Sequence, residues 1–121
     1  MAIHHAAPDD LIDVRPLGQK LPQSISHALF KTAHQEVMRT VLRAGQSIPE
    51  HSVPGEITIQ CIEGEVELRL REGTRRLRAG EMTYLAGCEP HAFAAITDTS
   101  MLMTILLEQQ ENKPGAAGQS S

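Results

Sequence analysis

The clearest pattern in the chain is the alternation over Glu65–Arg71, EVELRLR. Val66, Leu68 and Leu70 fall on one face of an extended segment, and Glu65, Glu67, Arg69 and Arg71 on the other. A helix would spread these charges around its girth, so the pattern predicts a strand with one face in a core and one in water. Glu72-Gly73 supplies a short turn into Thr74–Arg78, a polar strand whose apolar contribution is Leu77. Ala79-Gly80 turns into a strand at Met82–Leu85, a loop runs from Gly87 to Pro90, and His91–Thr97 is the next strand. Asp98–Ser100 is expected to turn into Met101–Leu107, an apolar run that predicts a strand buried on both sides, in the core or at a dimer interface.

Upstream, Gly45–Gly64 reads as strand, tight turn carrying His51, strand, and a Gly64 turn. The segment Ser26–Gly45 is ambiguous by periodicity, because Val37–Val41 and Met38–Leu42 are i,i+4 pairs that a helix would place on one face. Frequent β-branched residues and the turn signals at Gly45 and Pro49 favour strand. Residues 1–26 are polar and punctuated by Pro8, Pro16, Gly18 and Pro22, which predicts a partly ordered arm, with Asp13–Leu17 as an added edge strand. Residues 27–107 form the folded unit, and 108–121 have no apolar content to bury and are expected to be disordered. Eight or nine short strands without a convincing helix predict an all-β chain, closed into a small jelly-roll barrel so that its edges are covered.

Composition narrows the class. At 121 residues the chain is one domain, able to bury about two-thirds of its unfolded surface. A net charge of −4 and only three aromatic residues leave neither the basic footprint nor the stacking platforms of nucleic-acid binding. The N-terminal MAIHHAAPDD has no apolar run of signal-peptide length, and Met101–Leu107 is too short to span a bilayer, so a cytoplasmic protein without membrane contact is expected. Cys61 and Cys88 fit neither a disulfide framework nor a zinc pattern and are expected to be buried thiols.

The candidate chemistry lies in His51 and His91, on two separate turns that a barrel would bring together at its mouth. By alternation Phe93 and Ala95 share the face of His91, and Ile57, Ile59 and Cys61 line the same interior. Either Met82 with Tyr84 or Thr83 with Leu85 faces inward, and Tyr84 would give the pocket an apolar body with a polar tip. The resulting pocket is apolar with two imidazoles as its polar groups, suited to a small molecule. His27 and His34 have no partner at metal spacing and are expected at the surface.

These residues sit in a spacing that resembles the cupin family. Its first motif, G-x5-H-x-H-x3,4-E-x6-G, is matched at Gly45, His51 and Gly64. Its second, G-x5-P-x-G-x2-H-x3-N, is matched at Gly80 and His91. The chain is therefore similar to a single-domain member of the RmlC-like cupin superfamily, with the double-stranded β-helix that this implies. The family's second ligand histidine falls on Val53 and its ligand carboxylate on Ile57. The proline, glycine and asparagine positions of the second motif are Ala86, Cys88 and Ala95. Of the usual metal ligands only His51 and His91 are present. Two imidazoles alone leave a divalent charge uncompensated. A third ligand would come from Glu56 through a one-residue bulge, with Gln60 and Glu89 as weaker candidates.

The resemblance implies a homodimer, and two functions stand open, the first implied by the resemblance and the second read from the residues themselves. The first is a metal-dependent oxygenase, isomerase or decarboxylase, with iron, manganese, nickel or zinc on His51, His91 and Glu56. The second, favoured by the apolar Val53 and Ile57, is a metal-free barrel that binds or senses a small molecule without catalysis. Neither calls for an organic cofactor.

Overall fold

The computed structural model describes residues 5–107, and the tail 108–121, expected to be disordered, lies outside them. Nine strands follow a short 3-10 helix, Gly18–Gln23. They are β1 (His27–Lys31), β2 (Gln35–Leu42), β3 (Ser47–His51), β4 (Ile57–Glu63), β5 (Glu65–Leu70), β6 (Gly73–Arg78), β7 (Met82–Leu85), β8 (His91–Ala95) and β9 (Thr99–Leu106). Two antiparallel sheets face each other. One has the order β1-β2-β9-β4-β7 and the other β3-β8-β5-β6.

The alternation in β5 does what its pattern requires. Val66 and Leu68 are buried, while Glu65 pairs with Arg76 and Glu67 with Arg69 on the outer face. The inner faces of both sheets supply one core, which includes Leu42, Ile57, Ile59, Cys61, Leu77, Leu85, Phe93 and Met101. Gly64, between β4 and β5, has φ +85° and lies against the Asp98 carbonyl, so a side chain there would meet both backbone strain and a clash.

Three expectations change in detail. Ser26–Gly45 is strand as expected, but it forms the hairpin of β1 and β2. β9 starts at Thr99 within the expected turn and is not buried evenly on both sides. Met101 and Met103 point into the core, whereas Leu102 and Thr104 are half-buried and Leu106 is exposed. The arm adds no strand at Asp13–Leu17. It carries the 3-10 helix, with Leu21 buried, across the outer side of the five-stranded sheet.

Polar contacts hold that arm in place. A register shift between Cys61 and Glu63 in β4 turns Glu63 outward, opposite Ser100 of β9. Its carboxylate accepts from the Leu17 N–H (2.8 Å), the Gly18 N–H (3.0 Å) and the Ser100 hydroxyl (2.6 Å). Arg39 of β2 donates to the carbonyls of Asp13 (3.3 Å) and Arg15 (3.0 Å). No helix among the described residues is long and apolar enough to cross a membrane.

Candidate ligand site at the paired histidines

The end of β3 and the start of β8 bring the two histidines together, with His51 and His91 directly opposite in the antiparallel register. The close pairing forces the rings into contact, with centroids 4.4 Å apart and planes inclined by 57°. β8 is a central strand and β3 an edge strand. His91 is accordingly 1% exposed, whereas His51 is open to water. Pro49 is tolerated within β3 because an edge strand need not donate on both sides.

Both imidazoles are oriented by the same local device, the backbone carbonyl two residues earlier. His91 Nδ1 lies 2.9 Å from the Glu89 carbonyl, and His51 Nδ1 lies 3.3 Å from the Pro49 carbonyl. A carbonyl can only accept, so each Nδ1 carries a proton, and a ring in its neutral form turns a bare Nε2 lone pair away from the backbone. The His91 Nε2 is buried and has no hydrogen-bond partner among the described residues. Leaving a buried acceptor unpaired costs about 1–3 kcal/mol, so a group that supplies a hydrogen or a cation here gains that much. The wall beside it is apolar, with Phe93 edge-on to His91 at 5.9 Å.

The other expected site residues divide into two sets. Ile57, Ile59, Cys61 and Phe93 are inward and buried, and Val53 packs half-buried against them. Burial pushes the Cys61 thiol up to about 11, helped by the nearby Glu81, Glu63 and Glu65 carboxylates, so it is an inert protonated thiol. Cys88, expected to be buried, is exposed. It holds a φ of 67° at the position where the second cupin motif has glycine, and its N–H donates to the Val53 carbonyl.

Glu56 and Tyr84 do not join the histidines. β4 and β7 pair without interruption from Ile57–Leu85 to Gln60–Met82, so no bulge carries Glu56 inward. The same register puts Leu85 and Thr83 on the inner side and Tyr84, 70% exposed, on the outer side. Glu56 and Tyr84 line a cleft of about 350 Å³ on the outer face of the five-stranded sheet. Gln60 points outward with Met82, and the Glu89 carboxylate accepts from the Arg71 N–H at 3.0 Å.

Among the described residues no three His, Cys, Asp or Glu side chains converge as a metal cage. A metal-binding histidine normally has its second ring nitrogen fixed by a carbonyl or carboxylate, and both histidines meet that condition. Among the described residues these two oriented imidazoles are all that a metal site would find, and further ligands and charge compensation would have to come from outside the protein.

A family model described as "Cupin domain" matches residues 38–107, more than half of the chain. The chain belongs to the cupin family. Solved structures agree on the cupin fold. A conserved protein of unknown function from Streptococcus pyogenes superposes with a TM-score of 0.72 at 23% identity, over 90% of this chain and 99% of that one. An RmlC-like cupin with a double-stranded β-helix from Methanocaldococcus jannaschii gives 0.67 at 17% identity, over 81% of this cupin and 93% of that chain. A salicylate 1,2-dioxygenase from Pseudoaminobacter salicylatoxidans gives 0.61 at 18% identity, over 66% of this cupin and 25% of that much longer chain. No curated protein sequence matches this cupin.

Proposed function

We propose that this cupin binds a small molecule at the His51–His91 pair, with the His91 Nε2 as its point of recognition. The observation that carries the reading is that single buried acceptor without a partner, set beside Phe93. A ligand with one hydroxyl or N–H donor on an otherwise apolar body satisfies Nε2 and sets its apolar part against Phe93. His51 covers His91, is exposed, and among the described residues is hydrogen-bonded through its Nδ1 alone, so its ring is the part that moves to admit the ligand. Among the described residues no carboxylate converges on the two rings, which favours binding over metal-centred catalysis as the first reading.

A second reading keeps the metal. Its support is the matched carbonyl contact at both Nδ1 atoms. His51 and His91 would hold a divalent ion, which would supply Lewis-acid polarisation of a bound oxygen. The likeness to a dioxygenase is compatible with this, but at 18% identity it carries the fold alone.

The test is a calorimetric screen of small aromatic and aliphatic alcohols and amines, with and without added iron, manganese, nickel or zinc. Under the first reading a ligand binds without metal, its O-methyl analogue binds at least tenfold more weakly, and His91→Phe erases that difference. Binding that requires a metal, and is lost in both His51→Ala and His91→Ala, would overturn the first reading in favour of the second. A cytoplasmic homodimer is part of the same proposal. The exposed Met82, Tyr84 and Leu106 support a covered outer face, and a sedimentation run giving only monomer at micromolar concentration would remove the dimer.

A further inference from the structure

A second polar site lies on the opposite side of the five-stranded sheet, away from the barrel interior. Arg39 occupies an outward position of β2, across from His27 of β1, and is 3% exposed. Its neighbour Thr40 faces inward and donates to the Met103 sulfur. Over Arg39 the arm and β1 enclose a cleft of about 310 Å³ lined by Asp13, Arg15, Lys20, His27, Leu29 and Arg39. A buried guanidinium is costly unless a negative charge meets it directly, and Arg39 takes part in no ion pair among the described residues. Its contacts are two carbonyls and the Ser100 hydroxyl, the last at 3.5 Å. They use three of five N–H donors and leave Nε without an acceptor among the described residues.

The nearby carboxylates are committed elsewhere. Asp13 is gripped by Arg15 at 2.9 and 2.8 Å, and Glu63 by the Leu17 and Gly18 N–H groups and Ser100. The cleft lining thus carries three cations, Arg15, Lys20 and Arg39, against the single carboxylate of Asp13, which pairs with Arg15.

We propose that this cleft binds a small oxyanion, a carboxylate or phosphate group, with Arg39 at its floor and Arg15 and Lys20 at its rim. With both Nη2 hydrogens held by the arm carbonyls, Arg39 offers its Nε–H to one oxygen of the ligand, and the rim cations add attraction where water still enters. The arm supplies both the rim and the carbonyls that hold Arg39, so the bound anion also ties the arm to the sheet.

Inorganic phosphate and acetate, each titrated at constant ionic strength with chloride as the balancing anion, test the site by amide NMR. The expected result is a saturable shift centred on Leu17, Lys20 and Arg39, weakened several-fold in Lys20→Ala, an exposed position that should not disturb folding. Arg39→Lys keeps the charge but loses the free Nε–H donor and should weaken binding about tenfold. Should that variant not fold, Lys20→Ala and Arg15→Ala decide the matter alone. Shifts linear in anion concentration, unchanged by Lys20→Ala, or centred on His51 and His91 would overturn the proposal.

Discussion

Glu63 and His91 are both drawn out of water by strand pairing, and the protein treats them in opposite ways. Burial alone would raise the pKa of Glu63, but the Ser100 hydroxyl and the Leu17 and Gly18 N–H groups outweigh it, with Arg39 nearby, and hold the group below its ordinary value. Every donor it meets comes from a different part of the chain, so the carboxylate fastens arm, β4 and β9 together. Among the described residues the His91 ring makes one hydrogen bond, to the Glu89 carbonyl two residues earlier, and leaves Nε2 bare. A satisfied buried group stabilises a fold, whereas an unsatisfied one is a cost that the fold carries and a ligand can remove.

The largest effect should come from breaking the satisfied group. Glu63→Ala strands two backbone N–H groups and is expected to lower stability by about 2–3 kcal/mol, read by denaturant unfolding, with earlier proteolysis in the arm. An unchanged midpoint and an unchanged arm would make the clamp incidental. The same contact should shape the acid limb. With its folded pKa depressed, Glu63 contributes stability that is present above its unfolded value and lost as pH falls through the folded one. The wild type should therefore lose its margin over Glu63→Ala at acid pH, and a constant difference down to acid would contradict this. The smallest effect should come from His91→Phe. Removing an unpaired buried acceptor offsets the change of shape, so stability should shift by less than about 1 kcal/mol while the proposed preference for a ligand over its O-methyl analogue disappears. A loss of several kcal/mol would mean that His91 is an ordinary core residue.

Much of the barrel was legible because its strands advertise themselves. The charges of Glu65–Arg71 alternate without a break, and two Gly-to-His spacings located His51 and His91 before any contact was visible. Tyr84 illustrates where parity runs out. Alternation allowed either phase of β7, and only the pairing of Ile57 with Leu85 decides between them. Glu56 and Glu63 teach the same lesson from the two ends of β4. A bulge was expected to bring Glu56 in, but the irregularity lies at the other end and turns Glu63 out. Nothing local marks such a step, because it is set by the partner strand. The arm's attachment was equally hidden, since its donors are backbone N–H groups. The one available signal was Arg39, a cation inside the otherwise apolar VMRTVL run of β2.

The two histidines are mounted on unequal supports, one on a strand bonded along both sides and the other at the last residue of a strand bonded along one. Pairing along β3 is further interrupted between Ile48 and His51. Shifting His51 therefore disturbs a short, already broken ladder and leaves the packed layer around Phe93 intact. Were a molecule to bind there as proposed, how tightly it is held would belong to β8, and how quickly it arrives and leaves to β3.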